Sequence, residues 1–187
     1  MPRREDYRLR EMEDADLEKV LEWRNSDRIR AVMYTDQVIT MEEHRGWFER
    51  VRQEQNAIYK IFEYQERPVG VVNVVRLDKR NNKCSWGFYL GEVDIPQGTG
   101  LVMGYLALEY IFEGLGIRKL CAEALAFNTP SIRFHQQLGF AEEGRLIKHV
   151  MKNGHYEDVI AMALFNEDWM KLKSRLARLC LGGGAKS

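Results

Sequence analysis

The residues Gln97-Gly98-Thr99-Gly100 follow Pro96 and open a nearly all-apolar run over 101–112. Glycines let a backbone approach a ligand closely, and the first amides of a helix have no intrahelical acceptor. Such a junction offers N–H donors at the positive end of a helix dipole, a seat for a phosphate or pyrophosphate; it serves equally as a plain tight connection. It has neither the Lys-Ser or Lys-Thr of a phosphate loop nor the three-glycine spacing of a dinucleotide fold. A second chemical feature is Glu123, set in Leu120-Cys121-Ala122-Glu123-Ala124-Leu125. A carboxylate among small apolar residues is either partnered by a cation or serves a site. His44, His135, His149 and His155 show no paired spacing with each other or with cysteines, so no metal is expected.

These residues need elements to position them. Lys83–Leu90 alternates, with Cys84, Trp86, Phe88 and Leu90 on one face of a half-buried strand. After the apolar helix come Gly114 and Gly116, a buried strand over 119–126, Asn128-Thr129-Pro130, and a helix ending at Gly139. Upstream, a first strand is read at 7–12, a helix capped by Asp14 and running to 24, and a short helix at 29–33. Thr40-Met41-Glu42-Glu43 is a capping box opening a third helix. Strands at 57–64 and 69–77 are joined by a turn near Glu66-Arg67-Pro68. A hairpin through Asn153-Gly154 joins 146–151 to 156–164, and Asn166 caps a last helix with Trp169, Leu172, Leu176 and Leu179 on one side. The sum is an α+β fold of about seven strands and five helices on a mixed sheet: one domain over 1–181 and a flexible tail at 182–187.

The order strand, glycine turn, helix, strand, helix, Leu138-Gly139-Phe140, strand resembles the GCN5-related N-acetyltransferase (GNAT) superfamily. Its turn pattern is Gln/Arg-x-x-Gly-x-Gly/Ala; Gln97 and Gly100 match, and Val102 stands at the last small position. The resemblance implies acetyl-CoA as co-substrate, its pyrophosphate held at Gln97, Gly98, Thr99, Gly100, Leu101 and Val102, with Asn128 also on the cofactor. It further implies that strands 83–90 and 119–126 splay apart to pair with the pantetheine, a backbone N–H near Tyr89 or Leu90 facing the thioester oxygen. The pattern Asn-x-x-(Ala/Ser)-Ile-x-x-Tyr-x-x-Leu-Gly-Phe matches at Asn128, Ser131, Ile132, Leu138, Gly139 and Phe140, with His135 where the family places a tyrosine that protonates the leaving thiolate. His135 is therefore the candidate general acid, or a side chain that gives the pocket only its shape. Glu123 is the candidate proton acceptor for the incoming amine, through a water chain that includes Ser85, or else an arginine's ion-pair partner. Attack is direct, because nothing beside Cys121 would activate a thiolate.

The N-terminal third carries Trp23-Arg24-Asn25, Ile29-Arg30, Met33-Tyr34 and His44-Arg45-Gly46-Trp47-Phe48. Arginine forks suit phosphates and flat side chains stack on rings, although the same residues also pack a helical layer on a sheet. The whole array resembles the PseH-type acetyltransferases of pseudaminic acid biosynthesis, a route to flagellin glycosylation. That resemblance implies a UDP-linked 4-amino-4,6-dideoxy-N-acetyl-altrosamine as acceptor. Arg30 and His44 would then lie near the phosphates, and Met33, Tyr34 and Trp47 would wall the deoxysugar methyl. A ribosomal-protein-type N-terminal acetyltransferase and a non-catalytic acyl-CoA sensor are the alternatives.

Composition sets the outer bounds. The 187 residues are 45% hydrophobic and 30% charged, with 28 basic and 28 acidic side chains. That balance gives no nucleic-acid footprint. Three scattered cysteines make no disulfide framework, and Cys84 and Cys121 are expected in the core. No apolar stretch is long enough to span a bilayer and no signal-like segment opens the chain, so the expected setting is cytoplasmic, with a small-molecule partner, no membrane, and room for a homodimer.

Overall fold

The computed structural model describes residues 3–181. The tail expected at 182–187 lies outside them. A seven-stranded sheet in the order β1-β2-β3-β4-β5-β7-β6 forms the centre. β1 (Tyr7–Glu11), β2 (Ile58–Tyr64), β3 (Arg67–Asp78) and β4 (Lys83–Leu90) run antiparallel; β4 is parallel to β5 (Lys119–Leu125); β7 (His155–Phe165) and β6 (Ala141–Lys152) complete the sheet antiparallel.

Period-two alternation divides the side chains between two cores. Phe62, Val72, Val74, Cys84 and Trp86 face α4 (Thr99–Glu109) and α6 (Asn166–Leu181), where Met103, Leu108 and Trp169 are almost fully buried. Ile61 and Val71 face the opposite way, onto α1 (Leu17–Asn25), α2 (Asp27–Arg30) and α3 (Met41–Gln53), meeting Val20, Trp23, Ile29 and Phe48. Trp23 lies flat on Gly91: a Cβ there would stand 2.0 Å from the indole, so only glycine lets this helical layer sit against the end of β4.

Several local expectations change. Asp14 opens a short 3₁₀ turn, Asp14–Asp16, instead of capping α1. The helix expected at 29–33 is α2, Asp27–Arg30, beginning two residues and ending three residues earlier, because Ser26 (ψ 142°) breaks the chain and restarts it. The β2–β3 turn sits on Gln65 and Glu66, both at positive φ, and Arg67-Pro68 already belongs to β3. The described residues form six α-helices where about five were expected. Asn166 begins α6 without capping it; its buried Oδ1 has no partner, and Cys180 rather than the exposed Leu179 completes the inward stripe. Cys121 is half-buried, whereas Cys84 is in the core. The Thr40–Glu43 capping box forms as read, and Asn153-Gly154, both at positive φ, makes the β6–β7 turn.

Candidate active site

β4 and β5 pair only at Lys83↔Lys119, Cys84↔Leu120 and Ser85↔Cys121. Beyond Ser85 they diverge, because β3 holds β4 as far as Leu90 while β7 holds β5 as far as Leu125. The Gly91 amide donates to Val69 O at 2.8 Å, which fixes the parity of the β3–β4 ladder. The backbone groups of Trp86, Phe88 and Leu90 therefore point into the wedge. Leu90 O accepts from Arg28 Nη2 at 3.0 Å.

The wedge opens into a cleft of about 800 Å³. One wall is β4 (Ser85, Phe88, Tyr89), the other is Glu123, Leu125 and the start of α5 (Thr129–Gln137), and Met33, Tyr34, His44 and Trp47 close the outer side. The glycine turn lies around the corner from this lining. Gly98 takes φ 90°, the left-handed region, with open space where a Cβ would be. The Thr99 amide and hydroxyl both bond Pro96 O, at 3.2 and 2.7 Å, and the Leu101 and Val102 amides bond Gly98 O at 2.9 and 3.2 Å. Those three amides are spent inside the turn and Val102 is fully buried, so its departure from a small residue is absorbed by the core. The Gly98 and Gly100 amides have no acceptor among the described residues, and a Cβ at Gly100 would meet only Leu90 at 3.4 Å. Free amides on an αL turn at a helix start fit a pyrophosphate.

Asn128 caps α5, its Oδ1 accepting from the Ser131 amide at 3.3 Å. His135 is 3% exposed and boxed by Trp86, Phe88 and Phe140. Its Nδ1 is 2.8 Å from Ser131 O; a carbonyl only accepts, so Nδ1 carries the proton and Nε2 of the neutral ring is a lone pair. Burial lowers its pKa from the ordinary 6.5, partly offset by that bond. The Nδ1 proton is held by Ser131 O, so an acid role would need a proton on Nε2 of the charged ring, the form that burial disfavours.

Glu123 stands on β5 at the cleft. Tyr34 donates to its Oε2 at 2.7 Å, and Arg76 Nη1 lies 3.5 Å from its Oε1. Arg76 reaches it because β3 bulges between Val75 and Asp78, with Arg76 at φ 54°. The arginine partner and the place in a site are therefore both present. Ser85 lines the same cleft.

The acceptor array divides. Met33, Tyr34, His44 and Trp47 line the cleft; Arg30 does not. Arg30 pairs with Asp27 at 2.6 Å and borders a separate shallow hollow with Asp36, Lys152 and Asn153. The residue in the cleft wall is Arg24, whose Nη2 bonds Thr35 while its Nη1 is shielded from solvent without a partner. Burial lowers its pKa. His44 is also buried, stacked on Trp47 with centroids 5.1 Å apart, and its Nε2 has no partner. Lys152, 3% exposed, reaches from the β6–β7 hairpin to the carbonyls of Arg30 (3.0 Å) and Met33 (2.8 Å), fixing the loop that carries Tyr34. Arg24 belongs to the Trp23-Arg24-Asn25 run but carries no role in the sequence reading, and Arg76 and Lys152 have no sequence signal. Among the described residues no three His, Cys, Asp or Glu side chains converge as a metal site.

Comparison with known proteins agrees with this geometry. The chain is 29% identical over 127 residues to the SPbeta prophage-derived N-acetyltransferase YokL of Bacillus subtilis (strain 168), covering 67% of this chain and 71% of that one. It is 25% identical to acetyltransferase PseH of Campylobacter jejuni (strain 81-176), over 70% of this chain and 80% of the relative. The crystal structure of spermidine N-acetyltransferase from Vibrio cholerae in complex with CoA and spermine superposes with a TM-score of 0.83 at 18% identity, covering 89% of this chain and 99% of that one. The family model described as acetyltransferase (GNAT) domain matches residues 9–161, most of the chain, which with the splayed strands and the glycine turn makes this protein a GNAT-family, acetyl-CoA-dependent N-acetyltransferase.

Proposed function

We propose that the acceptor is an amino sugar carried on a nucleoside diphosphate, the C4 amine of a UDP-4-amino-4,6-dideoxy-N-acetyl-altrosamine being the member of that class implied by the likeness to PseH. The observation that carries this reading is Arg24 Nη1, buried without a partner among the described residues on a side chain that lines the cleft. An orphaned guanidinium N–H is costly unless a ligand brings an acceptor, and phosphates and sugar oxygens are acceptors. A polyamine brings only donors. Of the carboxylates at the cleft, Glu43 is held by the Thr40 amide and hydroxyl, and Glu123, shared by Tyr34 and Arg76, is kept for the proton of the reacting amine rather than for a second ammonium. The likeness to the Vibrio cholerae enzyme, at 18% identity, supports the fold rather than its substrate.

In this reading Met33, Tyr34 and Trp47 form the apolar wall for the sugar, and Arg24 replaces Arg30 as the phosphate-side cation. Acetyl-CoA supplies the acetyl thioester. Gly98 and Gly100 hold its pyrophosphate end, and the inward N–H groups of Phe88 and Leu90 offer donors to the thioester oxygen. Glu123 accepts the proton of the amine, directly or through water at Ser85. The setting belongs to the proposal too: a cytoplasmic enzyme, no described helix being long and apolar enough to cross a membrane.

Thermal-shift titration tests the acceptor class. UDP should raise the melting temperature through Arg24 and spermine should not. A rise with spermine and none with UDP would transfer the cleft to polyamines.

A further inference from the structure

The leaving sulfur needs a donor, and the residue expected to provide one has none free. His135 spends its single N–H on Ser131 O at 2.8 Å. Against it stands Trp86, ring centroids 5.6 Å apart and planes at 90°. Trp86 is the first residue of β4 beyond the last β4–β5 pair, 6% exposed, and part of the cleft lining. Its indole Nε1–H is buried with no acceptor among the described residues. Indole nitrogen can only donate, so this orphan cannot be relieved by adjusting a tautomer or rotamer of its own. Buried Trp N–H groups normally find a partner; Trp169 in the same core does, with Glu113 at 2.9 Å.

We infer that Trp86 Nε1–H is the hydrogen-bond donor for the coenzyme A sulfur, stabilising the thiolate as it leaves. The step balances without an acid. The amine nitrogen bonds to the thioester carbon, the C–S bond breaks, and its electron pair stays on sulfur. The nitrogen's proton goes to Glu123, the indole keeps its own, and sulfur takes a proton from solvent on release. The inference rests on the acetyl-transfer assignment and holds whichever amine is the acceptor, so failure of the sugar-nucleotide reading leaves it standing.

The test compares binding of coenzyme A and desulfo-coenzyme A, which lacks the sulfur, to the wild type and to Trp86→Phe. Measured at a pH above the ordinary thiol pKa of about 8.5, where the coenzyme A sulfur is ionised, a donated bond should give the wild type a preference of about tenfold or more for coenzyme A. Trp86→Phe should erase the preference, leave desulfo-coenzyme A affinity unchanged, and lower kcat about tenfold to a hundredfold. Should Trp86→Phe not fold, a benzothienylalanine at position 86 keeps the ring shape and lacks the N–H. An undiminished preference in either variant, or an equal loss for both ligands, would overturn the inference.

Discussion

Replacing Arg24 by methionine should separate the acceptor from the cofactor. Methionine keeps the unbranched apolar stem and removes the guanidinium, whose Nη1 is buried without a partner and whose Nη2 holds Thr35. A hydrogen bond to a charged group contributes about 1.5–3 kcal/mol, which at 1.4 kcal/mol per tenfold is roughly a ten- to hundredfold rise in acceptor KM. Acetyl-CoA KM should stay within about twofold, because the Gly98–Gly100 donors lie outside the cleft that Arg24 lines. Stability of the unliganded protein should change little: the lost Thr35 bond is offset by relief of a buried, unpaired charge. The assay is initial-rate kinetics on both substrates with a thermal melt, repeated with the free amino sugar lacking the nucleotide. On the truncated acceptor the penalty should shrink, since Arg24 would have no phosphate to read. An unchanged acceptor KM, or a penalty equally large on the truncated acceptor, would refute the reasoning.

Three further outcomes follow from the same geometry. Gly98→Ala should lower the melting temperature and weaken acetyl-CoA together, because φ 90° costs an L-residue about 1–2 kcal/mol, whereas Gly100→Ala should weaken acetyl-CoA with little change in melting. Burial holds the pKa of His135 and His44 below 6.5, so the unfolded chain binds the extra protons; stability should fall as pH drops through 6.5, and His135→Gln should flatten that slope in melting curves. Glu123→Gln should lower kcat by about a hundredfold or more while acetyl-CoA KM holds, checked by steady-state kinetics; an unchanged kcat would return Glu123 to the role of ion-pair partner for Arg76.

Local signals in the chain were legible where only one residue type suits the backbone. Gly98 at positive φ, the Thr40–Glu43 box and Asn153-Gly154 each realise what their residues announce. The core face of β4 was readable from period alone, as Cys84 and Trp86 show. What depends on how elements meet was not. Arg24 and Arg30 fall on two successive short helices as read, and the extended Ser26 between them sets how α2 sits, so spacing could not tell which arginine enters the cleft. Arg76 reaches Glu123 through a bulge at a non-glycine residue with no sequence mark. The family pattern singles out His135, but its place in the cleft lining and the Ser131 carbonyl at its Nδ1 are visible only in the structure.

The central claim is that the acceptor brings an oxygen acceptor to Arg24. The most direct measurement is coenzyme A release from acetyl-CoA with a UDP-4-amino-6-deoxy sugar, spermidine, and short N-terminal peptides offered separately. Turnover on the sugar nucleotide, lost in Arg24→Met, is the predicted result; turnover on spermidine or peptide, with the sugar nucleotide inert, would contradict it.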